Sequence, residues 1–130
     1  MMKKTLSFLL LTLLALTGCA ASPADAESFR QINMQEAIDM MASKTDYVIL
    51  DVRTAQEYKS GHIPGAINIA NEIIGTAEIS ELPNKDQLLL VYCRSGNRSK
   101  QASAKLVKLG YTNVVEFGGI NAWPGEIVLP

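Results

Sequence analysis

The sequence predicts an α/β fold, in which a central and mostly parallel sheet of about five strands carries helices on both faces. Short apolar runs alternate with helical stretches along the chain, which is the order typical of parallel sheets. The run LLLVY at residues 88–92 is continuously apolar, as expected of a strand that is covered on both faces. With 130 residues, 48% hydrophobic and 19% charged, the chain has room for one globular domain.

The first elements are predicted from local patterns. Residues 29–32 form a short strand candidate. Asn33 and Glu36 then resemble a capping box, which starts a helix that ends near Ser43. Residues 47–50, YVIL, are nearly continuous in apolar residues and predict a second buried strand.

A second capping-box pair follows that strand. Thr54 and Glu57 start a short helix, which Gly61 ends. Residues 63–65 form a turn, and residues 66–69 a brief strand.

The middle of the chain contains the most apolar strand. Residues 71–82 predict one or two short helical turns, and residues 83–86 a loop. Residues 88–92 predict the central strand of the sheet.

The last third repeats the alternation. Residues 99–109 predict a helix, because their apolar side chains fall on one face and Gly110 stops the run. Residues 114–115 belong to a last strand, and Gly118 with Gly119 predicts a turn into a short segment that ends at Trp123.

The N-terminus predicts export rather than a part of the fold. Lys3 and Lys4 precede an apolar run at residues 6–16, which is shorter than the roughly 20 residues needed to cross a bilayer. Residues 1–18 therefore predict a signal peptide. The segment LTGC at residues 16–19 resembles the lipobox of bacterial lipoproteins, which implies cleavage before Cys19 and a diacylglycerol on its sulfur. An ordinary signal peptide that contains a cysteine is the alternative.

The lipobox resemblance implies a place for the protein. Residues 19–28 would form the lipidated cysteine and a flexible tether, and residues 29–130 the folded domain. The membrane is then a partner through the lipid anchor, and the protein belongs to the cell envelope. Ala20 after the cysteine favours the outer membrane, facing the periplasm, in a Gram-negative cell.

Cys93 is the candidate nucleophile. The chain has two cysteines, so a lipidated Cys19 leaves Cys93 as a lone thiol, which is unusual in an exported protein. Backbone N–H groups of a loop that enters a helix stabilise an anion, and Arg94 and Arg98 add positive charge. Both effects lower a thiol pKa from about 8.5 towards neutrality. A small buried residue without chemistry is the alternative.

Three motifs carry a resemblance to a known family. CRSGNRS at residues 93–99 resembles the active-site loop of the rhodanese family. DVR, EY and GHIPGAIN within residues 51–68 are similar to a second family signature, and GGINAW at residues 118–123 resembles the closing one. The resemblance covers residues 29–123 and implies a rhodanese-like, single-domain thiosulfate sulfurtransferase.

The resemblance also implies a mechanism and a site. Cys93 would be catalytic and would carry a sulfane sulfur, as a persulfide, from thiosulfate or a similar donor to cyanide or a thiol. We expect no metal, no organic cofactor and a monomer. Residues expected to bind the donor are Arg94, Ser95, Gly96, Asn97 and Arg98.

Other motif residues are expected to be structural. Asp51, Arg53 and Glu57 are close enough in sequence to form an ion-pair network. We expect His62 to be a turn residue rather than a base, and Trp123 to be a plug at the core or its edge.

Other functions are weighed against sulfur transfer. A formal charge of -1 gives no basic face for nucleic acid. Cysteine-dependent tyrosine phosphatases place five residues between cysteine and arginine, whereas this loop has four, and Ser99 stands where a phosphatase arginine would. This spacing disfavours a phosphatase or arsenate reductase, which is kept only as a further alternative. A non-enzymatic persulfide carrier or docking module at the cell envelope is the other alternative to an enzyme.

Overall fold

A computed structural model describes residues 28–130 of the chain. The predicted signal peptide at residues 1–18, the lipidation of Cys19 and tether residues 20–27 lie outside the described residues and stay predictions. Over residues 28–130, no helix combines the length and the apolar character needed to cross a membrane.

Within residues 28–130, five strands form one sheet in which every pairing is parallel. They are β1 (Arg30–Gln31), β2 (Tyr47–Asp51), β3 (Ile67–Asn68), β4 (Leu88–Cys93) and β5 (Val114–Gly119). Their order across the sheet is β1-β5-β4-β2-β3. All residues of β4 are buried, because strands and helices cover it on every side. The predicted α/β sheet and its central strand are confirmed.

Three helices and two short 3-10 turns accompany these strands in the described residues. The helices are α1 (Met34–Ser43), α2 (Ala55–Lys59) and α3 (Asn97–Lys108), and the 3-10 turns span Asn71–Ile73 and Ile120–Ala122. Both predicted capping boxes are present. In each, the side chain of the first residue accepts a hydrogen bond from the backbone of the fourth, which satisfies an N–H group that the helix leaves free.

The pleat of β4 decides which face of the sheet Cys93 occupies. Leu89, Val91 and Cys93 pack into one core, together with residues of α3. Leu90 and Tyr92 point to the opposite face and pack in the core that contains residues of α1. Successive side chains of a strand alternate between faces, so Cys93 at the end of β4 projects towards α3.

The end of the chain differs from the prediction. The sequence predicts a strand at residues 114–115 and a turn at Gly118 and Gly119, whereas β5 continues to Gly119, which pairs with Cys93. A Cβ atom on Gly119 would overlap the carbonyl group of Arg94 and lie 2.5 Å from the backbone nitrogen of Ser95. The glycine therefore lets the backbone of β5 pack directly on the loop that follows β4.

Candidate active site

The sulfur of Cys93 lies at the carboxyl end of the central strand, the edge at which parallel α/β sheets bind their ligands. The loop that follows passes directly into α3. Gly96, at its end, has a φ of 118°, a left-handed conformation that favours glycine. This turn brings the backbone N–H of Gly96 to 3.0 Å from Cys93 Sγ. The loop thus curls around the sulfur and directs a backbone N–H group at it.

The surroundings of Cys93 favour the thiolate. Burial raises the pKa of the thiol, but hydrogen bonds from the Ser99 side chain and from the backbone of Ser99, Gly96 and Ser95 outweigh that effect and leave the pKa below its usual value. These donors belong to the loop and to the first turn of α3, so the N-terminus of a twelve-residue helix faces the sulfur.

Arg98 is held in place by a carboxylate from another motif. Its guanidinium donates to both oxygens of Glu57, at 2.7 and 2.9 Å. The hydrogen bond with Arg98 is the largest cause that lowers the pKa of Glu57 to about 2. The same carboxylate accepts the backbone N–H of Thr54 at 2.9 Å. Glu57 therefore both caps α2 and fixes the guanidinium of Arg98.

The predicted ion-pair network of Asp51, Arg53 and Glu57 is wrong for Glu57, because the Glu57 carboxylate pairs with Arg98 instead. The other two do pair: Arg53 Nη2 lies 2.7 Å from Asp51 Oδ2, and both residues are buried. The Tyr92 hydroxyl donates to the same oxygen at 2.7 Å. Arg53 also donates to the carbonyl of Gly61 at 2.7 Å. This buried cluster ties the segment after α2 to β2 and β4, which is a structural role.

The loop residues divide into an inner and an outer set. Gly96 is buried and contacts the sulfur, and the pKa of Arg98 is raised by its hydrogen bond with Glu57 and, to a smaller extent, by the charge of Cys93. Arg94, Ser95 and Asn97 are exposed. The Arg94 carbonyl accepts the backbone N–H of Asn121 at 3.2 Å, so the closing motif holds the loop from its other side.

Two residues of the site were not predicted as such. Ser99 is fully buried and lies 3.5 Å from Cys93 Sγ through its hydroxyl oxygen. That hydroxyl also lies 2.6 Å from Oε1 of Glu116, a buried carboxylate on β5. The signal in the sequence is one acid inside the apolar run VVEF at residues 114–117.

His62 and Trp123 lie in structural positions. His62 Nδ1 donates to the carbonyl of Tyr58 at 3.0 Å, and the two rings stack with centroids 3.8 Å apart. Trp123 is half-buried, and its indole N–H donates to the Glu126 carbonyl at 3.0 Å. Within residues 28–130, no cluster of three or more His, Cys, Asp or Glu residues could hold a metal ion.

Comparison with known proteins identifies the family of the domain. A family model described as rhodanese-like domain matches residues 33–126. The chain belongs to the rhodanese-like domain family. A sulfurtransferase of Allochromatium vinosum is 38% identical over 94 residues, which cover 72% of this chain and 86% of that relative. Thiosulfate sulfurtransferase PspE of Escherichia coli is 37% identical over 81 residues, or 62% of this chain and 74% of PspE.

A solved structure agrees with this rhodanese-like assignment. The structure described as a rhodanese with anions from E. coli superposes with a TM-score of 0.59 and is 32% identical, covering 65% of this chain and 99% of its own. Since the curated relatives are sulfurtransferases, their similarity supports sulfurtransferase activity for this rhodanese-like chain.

Proposed function

We propose that the protein is a thiosulfate sulfurtransferase, which passes a sulfane sulfur from thiosulfate or a similar donor to a thiol or cyanide through a persulfide on Cys93. The observation that carries the proposal is the presence of hydrogen-bond donors at the Cys93 sulfur: the Gly96 N–H group lies 3.0 Å from Sγ, at the N-terminus of α3. Together with the lowered pKa of Cys93, this makes the thiolate available as a nucleophile.

In the first half-reaction the thiolate attacks the outer sulfur of thiosulfate. A new S–S bond forms to Cys93, and the old S–S bond breaks with its electron pair leaving on sulfite. The loop N–H groups that stabilised the thiolate remain directed at the sulfur atoms of the persulfide. Charge therefore moves within a preorganised anion site rather than into bulk solvent.

Burial of the nucleophile selects the shape of the donor. Cys93 is 1% exposed, so only a narrow group can reach it. A terminal sulfur presented end-on meets that requirement. Arg98 supplies a fixed positive charge for the anionic remainder of the donor, because a guanidinium carries five N–H donors and Glu57 takes two of them.

In the second half-reaction an acceptor thiolate or cyanide attacks the terminal sulfur of the persulfide. The S–S bond to Cys93 breaks, and its electron pair returns to Cys93 as the thiolate. The same loop N–H groups stabilise this leaving group, so one donor set serves both halves of the cycle.

Lipid anchoring at Cys19 completes the proposal and is supported by the LTGC segment at residues 16–19. The anchor would hold the domain at the cell envelope. Labelled palmitate should enter the full chain expressed in a bacterium and be absent from Cys19→Ser. Equal labelling of both would refute the anchor and leave sulfur transfer untouched.

Mass spectrometry tests the sulfur chemistry. The full chain incubated with thiosulfate should gain the mass of one sulfur atom, and added cyanide should remove it as thiocyanate. Cys93→Ala should gain nothing. A gain without turnover would identify a carrier instead of an enzyme, and no gain from thiosulfate or other sulfane donors would refute the proposal.

A further inference from the structure

The Ser99 hydroxyl lies beneath the active-site loop and is shielded from solvent. Its oxygen is 3.5 Å from Cys93 Sγ and 2.6 Å from Glu116 Oε1. The carbonyl oxygens of Gly96 and Gly118 lie further round the same hydroxyl, at 2.9 and 3.3 Å. A hydroxyl has one proton, so Ser99 can donate to only one of these acceptors at a time.

Glu116 is positioned to accept a hydrogen bond from the Ser99 hydroxyl. Its Oε1 also accepts the backbone N–H of Gly118 at 2.8 Å, which fixes the carboxylate. The residue is 2% exposed, and an apolar side chain at this position of β5 would cost less free energy than a buried carboxyl group. The carboxylate therefore points to a role beyond packing.

We propose that Glu116 is a positioning residue for Cys93: the Glu116 carboxylate competes with the Cys93 sulfur for the one hydrogen bond that the Ser99 hydroxyl can donate. The proposal deepens the proposed sulfur transfer and rests on Cys93 as its nucleophile. When Cys93 is a thiolate, the Ser99 hydroxyl donates its hydrogen bond to Sγ, and Glu116 accepts only the backbone N–H of Gly118. When Sγ carries the second sulfur, the negative charge lies further out, and the Ser99 hydroxyl donates to Glu116 instead.

The competition has a chemical consequence. Nucleophilicity of a thiolate falls as its pKa falls, so a loop that stabilises the sulfur without limit would give a weak nucleophile. By drawing the Ser99 proton away, Glu116 limits that stabilisation. It also favours the persulfide over the free thiolate, because the charge of the persulfide lies one atom further from the carboxylate.

Other charged groups near β5 are engaged elsewhere or exposed. Among the residues that the structure describes, Cys93 on β4 is the titratable group joined to Glu116 by hydrogen bonds through Ser99. On α3, Arg98 pairs with Glu57 and Lys105 donates to Asn71. The exposed ones on the elements packed against β5 are Arg30, Glu36, Asp39, Lys100 and Lys108.

The test measures the pKa of Cys93 without any sulfur donor. The ultraviolet absorbance of the thiolate is followed against pH in the full chain, with the chain carrying Cys93→Ala as the blank. Glu116→Gln should lower the apparent pKa of Cys93 by about one unit, since a hydrogen bond to a charged group is worth roughly that much. In a Ser99→Ala background the same substitution should shift the pKa by less than about a third of that.

A shorter acid separates proton competition from the field of the charge. Glu116→Asp keeps the charge but withdraws it from Ser99, so its pKa shift should resemble that of Glu116→Gln. An unchanged or raised pKa in Glu116→Gln, or an equal shift with and without Ser99, would overturn the proposal. So would a wild-type pKa in Glu116→Asp. None of these outcomes depends on whether thiosulfate loads Cys93, so the two proposals fail separately.

Discussion

Gly119→Ala tests whether β5 holds the active-site loop in its reactive shape. The new Cβ would overlap the Arg94 carbonyl group and lie 2.5 Å from the nitrogen of Ser95. Non-bonded carbon and nitrogen atoms need well over 3 Å, and both neighbours are backbone, so no side-chain rotation relieves the contact. The loop must therefore move by about 1 Å. Overpacking of this kind costs about 1–3 kcal/mol of unfolding free energy.

The effect on chemistry should exceed the effect on stability. A misplacement of about 1 Å at a reacting group lowers turnover by about a hundredfold. Gly96 N–H would no longer meet Sγ at 3.0 Å, so the pKa of Cys93 should rise towards that of a free thiol. Thiocyanate formation from thiosulfate and cyanide, the thiolate absorbance and urea unfolding measure the three quantities.

Gly75→Ala is the matched control, because its Cβ would meet no atom within 4 Å. It should leave turnover and the pKa of Cys93 unchanged, and alter stability by less than about 0.5 kcal/mol. If Gly119→Ala kept turnover within about twofold of the wild type while Gly75→Ala did the same, contact with β5 would not shape the loop.

Two further predictions concern the pair of Arg98 and Glu57. Arg98→Ala should lower kcat/KM for thiosulfate about tenfold to a hundredfold, because thiosulfate loses a charged hydrogen-bond partner. Equal kcat/KM for Arg98→Ala and wild type would show that Arg98 does not bind thiosulfate. Glu57 has a folded pKa of about 2 against about 4.3 unfolded, so its stabilisation is complete above pH 4.3 and is lost as pH falls towards 2. The side chains are 28% and 31% exposed, so we expect only about 1 kcal/mol. In urea unfolding, the stability gap between wild type and Glu57→Gln should close over that range, and a constant gap would contradict the assigned pair.

Local patterns predicted most of the fold. The two capping boxes are contacts between residues three positions apart, so the chain itself places their partners. The central strand is recognisable because burial on both faces leaves no polar position in LLLVY. Cys93 follows from the same reading, since it ends that strand.

Partners distant in the chain were not predictable in the same way. Glu57 and Arg98 are 41 positions apart. Their contact depends on the fold, in which α2 packs against the core on one face of the sheet and α3 against the core on the other face. Sequence proximity suggested Arg53 as the partner of Glu57 instead. The extension of β5 to Gly119 was missed because two glycines have the composition of a turn, whereas here the absence of a side chain permits close packing.

The separate motifs converge on one small structure. Glu57, from the second motif, fixes Arg98 at one side of the loop. Gly119 and Asn121, from the closing motif, support Arg94 at the other side. A loop held from both sides keeps its N–H groups directed at the sulfur before any donor arrives, so little reorganisation is needed when charge develops. The motifs therefore depend on one another through the loop. A substitution in either flanking motif should change the pKa and reactivity of Cys93, although neither motif contacts the sulfur.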